Sequence, residues 1–345
     1  MRSKKGPAMG VPLNRVVQLT EYGGPECLRI LDQPRASAGI GEVLVRVLAS
    51  SINYTDTLIR RHLYPQTAAY QVPFVMGYDV VGEIDEIGPG VSGFEIGDRV
   101  ADMTVTGSNA TYRLLKAKDL TRVPGDVDPA EAATLILSWT TAYQMLHRSA
   151  RAVSGQQVLM HGAGGAVGQA LLSLAKLAEI EAWGGVHAKY AALIRELGAH
   201  PIDYDREDFT RVLPAGFDVI FDGIGEKAYR RSFAALKPGG LLVAIGYSAG
   251  AEARQGLMHT LASIARLYLW GLMPMGKRTH FYSINVMRAR HPEWFKHDLA
   301  YLLELLREGR IRPKVAERIS FDQVPDAHRQ LEAGGLEGKI VLCPG

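Results

Sequence analysis

Residues 158–168, VLMHGAGGAVG, form an apolar run that passes through a glycine-rich turn toward a helical pattern, and they are the part of the chain best suited to chemistry. The pattern A-x-G-x-x-G falls on Ala163, Gly165 and Gly168. Amides of a helix's first turn have no partner inside the helix, so they are free to bind an anion. They reach a pyrophosphate only where no side chain intervenes, and the last glycine lets helix and strand pack closely. The segment therefore predicts a dinucleotide site with Ala163, Gly164, Gly165, Ala166 and Val167 around the diphosphate; a merely tight structural turn is the weaker alternative. At the tip of the next strand an acid would hold a ribose 2′-OH and repel a 2′-phosphate. That tip reads Gly184-Gly185, Glu181 falls at the strand's start, and Lys189 and Tyr204 stand where a phosphate could be met. NADPH is favoured on this reading. Lys189 also suits a solvated first-turn position, and for Tyr204 packing is as good an explanation as phosphate contact.

These residues need a parallel sheet to hold them, and the pattern supplies one. From residue 156 strand-like and helix-like stretches alternate: QQVLMHG, AVGQALLSLAKLA, IEAW, KYAALIREL ending at Gly198, FDVIFDG, a helix, then LLVAIG. Before this, RVVQLT and EVLVRVLAS read as strands, with Val43, Val45 and Val47 on one face of a half-buried sheet. Gly82, Gly88, Gly90, Gly93 and Gly97 suit tight turns between short strands. Asp128, Pro129 and Glu131 supply an N-cap, a first-turn proline and a capping-box acid for a helix. Near the end, Leu299, Leu302, Leu303 and Leu306 make one helical stripe stopped by Gly309, and KIVL reads as a last strand returning to the first domain. The expected fold is α/β: a β-rich domain from 1–135 with 288–345, and a doubly wound Rossmann domain over 136–287.

Composition narrows the classes. With 345 residues, 47% hydrophobic and 22% charged, the chain is long enough for two ordinary cores. A net charge of +3 gives no electrostatic reason to expect nucleic acid or a membrane surface as partner. The two cysteines, Cys27 and Cys343, suit neither a disulfide framework nor a zinc spacing, and a reducing, cytoplasmic setting is expected. Residues 1–10 lack the apolar core of a signal peptide, and no uncharged apolar run approaches membrane-spanning length.

With these residues in hand, the chain resembles the medium-chain dehydrogenase/reductase superfamily, and within it the zinc-free quinone oxidoreductases, including their VAT-like branch. The resemblance is carried by YGGPECL (22–28), GEVLVRVLASSINYTDTLIRRHLYP (41–65), PFVMGYDVVGEIDEIGPGVSGFEIGDRV (73–100), AATLILSWTTAYQML (132–146), the glycine turn, LGAHPIDY (197–204), FDVIFDGIG (217–225), LKPGGLLVAIG (236–246) and GKIVL (338–342). It implies a GroES-like catalytic domain beside the Rossmann domain. Zinc members carry a metal-binding Cys in a C-x-T-D-like segment, a G-H-E motif and a four-cysteine lobe. Here Asn53 stands in NYTD, Tyr78 in GYD, and the lobe cysteines are missing, so a metal-free site is expected.

The resemblance implies NADPH-dependent hydride transfer to a quinone or to the activated C=C of an α,β-unsaturated carbonyl. Such acceptors delocalise the developing charge, so a few hydrogen bonds suffice where no Lewis acid acts. Carried over by motif, Asn53 would lie near the nicotinamide ribose and substrate oxygen, Tyr64 would offer a hydroxyl, and Asp56 would orient either; turn capping and pocket lining are their plainer alternatives. Thr141, Gly246, Tyr247, Phe281, Tyr282, Ser283 and Lys339 match positions along the cofactor, and Tyr78, Met103, Trp139 and Met273 are candidates for an apolar substrate pocket. His161 reads as packed or cofactor-adjacent, and Asp222 as an adenine-side residue or a loop anchor. The segment 265–284 suits an apolar flap, a subunit contact or a core helix. A homodimer through the Rossmann sheet edge near 279–284 is implied. A pathway-specific enoyl reductase or cyclisation enzyme, and an NADPH-binding protein with little turnover, are the alternative functions.

Overall fold

The computed structural model describes residues 13–245 and 256–344; Gly246 and Tyr247 lie outside them. β-Branched runs open the chain as β1 (Leu13–Leu19), β2 (Leu28–Pro34) and β3 (Glu42–Ile52), followed by α1 (Tyr54–Arg60), β4 (Phe74–Val75), β5 (Asp79–Ile87), β6 (Arg99–Met103), β7 (Tyr112–Lys116) and β8 (Thr121–Arg122). β1 pairs with β2 and β4, while β3 is flanked by β5 and β7 in a larger sheet. Val43, Val45 and Val47 do share a face, packed against Val80, Ile84, Val100 and Leu115. The opposite face is only partly closed: Leu44 is buried at 1% exposure, but the Arg46 side chain beside it is 42% exposed and pairs with Glu83, so the sheet is half-buried along this strand as expected.

Asp128 caps the next helix as its sequence predicts, Oδ1 accepting from the amides of Ala130 at 3.0 Å and Glu131 at 2.9 Å. The helical run α2 (129–149) widens twice into π-type turns, over Leu135–Trp139 and Gln144–Ser149. In the second, the Ala150 amide reaches five residues back to the Met145 carbonyl at 2.9 Å. Such widenings concentrate at functional sites, and the first of them puts Ser138 on the wall of the cleft described below, with Thr141 one turn later.

The alternation then unfolds in order: β9 (Gln157–His161), α3 (Ala166–Leu177), β10 (Glu181–Val186), α4 (Ala191–Glu196), β11 (His200–Asp203), β12 (Phe217–Asp222), α5 (Glu226–Ala234), β13 (Leu236–Ile245), α6 (Gly256–Gly271) and β14 (Arg278–Tyr282). All six strands are parallel, in spatial order β11-β10-β9-β12-β13-β14. Counted from the glycine turn this is 3-2-1-4-5-6, the order of dinucleotide-binding sheets, whose ligand crevice lies at the carboxyl ends where the order reverses. Here the reversal falls between β9 and β12.

α7 (Ile284–Arg290), α8 (Pro292–Arg307), β15 (Val315–Ile319), α9 (Val324–Ala333) and β16 (Lys339–Leu342) complete the chain. β16 pairs antiparallel with β3, Ile340 opposite Ile52, which returns the C-terminus to the first sheet as its pattern suggests. Within 265–284, α6 runs beside β14 at the sheet's edge, where the Thr279 hydroxyl donates to the Leu267 carbonyl at 2.7 Å. Leu267 is buried there, whereas Tyr268, Leu269, Leu272, Met273 and Met275 are exposed. The segment forms no flap over the cleft. No described helix is long and apolar enough to cross a membrane.

Candidate active site

A cleft of about 560 Å³ opens between the two sheets, with the glycine turn as its floor and the last residues of β3, the loop after it and β16 as its far wall. Gly164, Gly165, Ala166, Val167 and Gly168 line it. The glycines serve different ends. A Cβ on Gly168 would sit 2.5 Å from the Ala163 Cα, so this position holds α3 tight against the turn. A Cβ on Gly165 would meet only the Gly162 carbonyl, at 3.4 Å, and otherwise project into open space. The floor is thus a cradle kept bare of side chains at the start of a twelve-residue helix, the geometry a dinucleotide diphosphate needs. Ala163 is buried beneath it and donates its amide to the Gly185 carbonyl at 3.3 Å. It is part of the support rather than of the lining.

β10 runs one residue past the predicted tip, to Val186. Gly184 is a packing position, because a Cβ there would lie 2.8 Å from the Ala163 Cβ. The residue just past the strand is His187, which with Tyr190 and Tyr204 lines this end of the cleft. The His187 ring holds the Asp205 carboxylate at 2.8 Å. Lys189 is not among the lining residues; its ammonium rests over the Tyr190 ring, 4.9 Å from the centroid. His161 lines the cleft with its ring edge-on to Phe209, and burial pulls its pKa down. Asp222 anchors the loop after β12, accepting from the Ile224 amide at 2.9 Å and the Ser232 hydroxyl at 2.6 Å.

At the other end, polar groups from distant segments converge. Asn53 caps α1, and its amide N–H donates to Asp56 Oδ2 at 2.8 Å. Its side-chain Nδ2 donates to Asp79 Oδ2 at 3.1 Å and to the Ser51 carbonyl at 2.9 Å, which turns Oδ1 toward the Lys339 ammonium, its hydrogen-bond donor. Lys339 also lies 3.5 Å from the Ser138 hydroxyl. Asp79 is tied further to the Ser51 amide at 2.6 Å and to the Ser51 hydroxyl. Both carboxyls are fully buried, and desolvation raises each: Asp79 upward, Asp56 to about 7. Burial lowers the Lys339 pKa, against the pull of Asp79 and Asp56. Asp56 Oδ1 is buried with no hydrogen-bond partner.

Tyr64 lines the cleft, and its hydroxyl sits 2.7 Å from that of Tyr78, with Asn285 Nδ2 donating to both at 2.7 Å. Tyr78 is itself fully buried behind Tyr64, so it braces the pocket rather than lining it. Thr141, Tyr282 and Ser283 line the cleft as well, although the Tyr282 hydroxyl points away and donates to Gln144 at 2.8 Å.

The remaining apolar pocket candidates lie away from the cleft: Met103 and Trp139 are buried in the main core, and Met273 is 37% exposed in the turn after α6. Phe281, expected along the cofactor, packs in the core behind the parallel sheet and does not line the cleft either. Large apolar side chains were absorbed by packing. Residues the sequence did not single out line the cleft instead: Gln66, Leu137 and Ser138, together with Leu331, Gly334, Gly335 and Leu336 from the end of α9. Gln66 follows the Tyr64-Pro65 pair directly in the chain; the others reach the cleft only through tertiary packing.

The fold and cleft define a nicotinamide-dependent oxidoreductase of two domains. Residues 39–125 match the alcohol dehydrogenase GroES-like domain, and residues 197–342 the model described as zinc-binding dehydrogenase. A quinone oxidoreductase of Pseudomonas aeruginosa is 30% identical over 336 residues, covering 95% of this chain and 99% of its own. The synaptic vesicle membrane protein VAT-1 homolog of Rattus norvegicus is 28% identical, over 97% of this chain and 85% of its own. A mycobacterial protein solved in complex with NADPH superposes with a TM-score of 0.79 at 27% identity, over 96% of this chain and 100% of its own. The chain belongs to the quinone oxidoreductase-like family of the medium-chain dehydrogenase/reductase superfamily.

The zinc in the second model's description does not fit these residues. A tetrahedral site needs thiolate, imidazole or carboxylate donors. Asn53 and Tyr78 occupy the motif positions of the metal-binding Cys and His, and among the described residues no three of His, Cys, Asp or Glu come together as a metal site.

Proposed function

We propose that this protein uses NADPH to reduce a quinone or the activated C=C of an α,β-unsaturated carbonyl. The observation that carries the reading is the single cleft that joins a bare phosphate cradle at one end to the Asn53–Lys339–Ser138 group at the other. The diphosphate would lie on the amides of 164–167, the adenosine beside Tyr190 and Tyr204, and the reactive ring against Thr141, Tyr282 and Ser283. When bound, the nicotinamide supplies a hydride. Asn53, fixed by Asp79 and Asp56, would orient the ribose and the substrate oxygen, while Tyr64, whose hydroxyl is engaged by Asn285, would wall the acceptor.

The preference for NADPH rests on the tip of β10. Lys189 brings positive charge there, and the His187 ring holds the Asp205 carboxylate that would otherwise repel a phosphate. A homodimer through β14 is consistent with its place at the edge of the parallel sheet. Nucleotide oxidation followed at 340 nm against a panel of quinones and enones tests the function. NADPH-dependent turnover of either class supports it, whereas tight NADPH binding with no acceptor turned over would make the protein a nucleotide-binding module.

A further inference from the structure

We propose that Asp298, which has no surface in the cleft, is a positioning residue for hydride transfer: through Gln144 it sets the direction of a buried hydrogen-bond chain that holds Tyr282 and Thr141 at the place of the nicotinamide ring. The inference rests on the reductase reading and deepens it. Asp298 lies on α8 and is fully buried. Its carboxylate accepts from Arg148 Nε at 2.7 Å and Nη2 at 2.5 Å, and from Gln144 Nε2 at 3.0 Å. Gln144, buried in its turn, accepts from the Tyr282 hydroxyl at 2.8 Å. The Thr141 hydroxyl donates to the Tyr282 oxygen, which opposes the upward pull of burial on the Tyr282 pKa. Tyr282 and Thr141 line the cleft, whereas Asp298, Arg148 and Gln144 stand behind it.

The chain has one direction, and the acid sets it. An amide can turn either end to a neighbour, but a carboxylate offers only acceptors. Beside Asp298 the Gln144 side chain must therefore present Nε2, which leaves Oε1 for Tyr282. Tyr282 must then donate, and its own oxygen is left to accept from Thr141. Gln144 and Arg148 are four residues apart on one face of α2, so a single acid on α8 fixes both, and the paired guanidinium compensates the burial of its charge.

The anchor acts where the sheet is weakest. β14 is the last strand of its sheet, bonded among the described residues only to β13, and Tyr282 is its final residue. The sheet holds that end from one side, and the tyrosine hydroxyl ties it to the helices behind. A shift of about 1 Å at a reacting ring costs roughly 100-fold in rate, so a carboxylate two side chains away can govern the chemistry without touching it.

Nicotinamide fluorescence reads the ring without turnover, because its lifetime lengthens when the ring is held still. In Asp298→Asn the amide at position 144 is free to turn round, and the lifetime of bound NADPH should shorten toward that of the free nucleotide. Affinity, set by the diphosphate and adenosine, should stay within about threefold, while enone reduction falls about 10–100-fold in kcat. Asp298→Asn/Gln144→Glu exchanges the two groups: the new carboxylate accepts from Tyr282 as before and meets Arg148 four residues on, so lifetime and kcat should return to within about threefold of the wild type. A role in stability alone would lower the melting temperature and leave the lifetime of the bound nucleotide unchanged. Should Asp298→Asn not fold, Tyr282→Phe, which cuts the chain and keeps the ring, should give the short lifetime in its place. A wild-type lifetime in whichever single variant folds, or an exchange that recovers neither lifetime nor kcat, overturns the proposal. A wild type that binds NADPH and reduces no acceptor sinks the reductase reading instead, and the lifetimes still decide what Asp298 does; a wild type that binds no NADPH overturns both.

Discussion

Asp56→Asn should change how stability depends on pH, and by an amount the site sets. Asp56 is fully buried, one carboxylate oxygen has no partner, and burial raises its pKa from 3.8 to about 7. A carboxyl whose folded pKa lies above its unfolded one binds more protons when folded, so stability falls as pH rises from 3.8 through 7 and levels off above. The difference of about 3 pH units corresponds to roughly 4 kcal/mol in all, of which about 2–3 kcal/mol falls between pH 5 and pH 8. Asparagine keeps an oxygen for the Asn53 amide and never ionises. Urea unfolding of the nucleotide-free wild type and variant across this range cancels the contributions of every other group. The variant should gain about 2–3 kcal/mol on the wild type between pH 5 and pH 8. Parallel curves, or a wild type that gains relative to the variant, would show that the buried carboxyl does not carry this strain.

His328 makes the mirror-image case at acid pH. It is fully buried, neither ring nitrogen has a partner, and burial beside Arg60 lowers its pKa to about 3. The unfolded state then binds the extra proton, so stability is lost as pH falls below 6.5; His328→Leu should spare about 2–3 kcal/mol of the wild-type loss between pH 6.5 and pH 4.5, read by denaturant melts. Lys189→Met should weaken NADPH by about tenfold while leaving NADH affinity within twofold, by fluorescence titration; equal losses for both would place the 2′-phosphate elsewhere. Light scattering should give twice the 37.6 kDa chain mass, and a monomer would remove the dimer from the account.

What the sequence made legible is what backbone constraints write locally. The turn at 162–168 needs glycine where a Cβ would strike the Ala163 backbone, and the apolar runs that alternate with helical stretches after it read as strands of a covered parallel sheet. KIVL was readable as a returning strand for the same reason. The lining of the cleft was not, because it is set by which side chains tertiary packing leaves uncovered. Trp139 and Met103 look like pocket residues and are core, whereas Ser138 reaches the cleft through a π-type turn that no periodicity announces. The meeting of Asn53, Asp79 and Lys339 depends on the pairing of β3 with β16, which only the register reveals.

The central claim is that the main-chain amides of the 162–168 turn hold a dinucleotide diphosphate, and Gly165→Val tests it most directly. Gly165 has φ −79° and ψ 166°, an extended conformation valine adopts readily, and its Cβ would meet nothing in the protein closer than 3.4 Å. The added side chain fills only the cradle. Calorimetric titration with NADPH, alongside thermal melting of the nucleotide-free protein, should show an unchanged fold and an affinity at least about 100-fold weaker, roughly 3 kcal/mol. A Gly165→Val protein that binds NADPH as the wild type does would contradict the account.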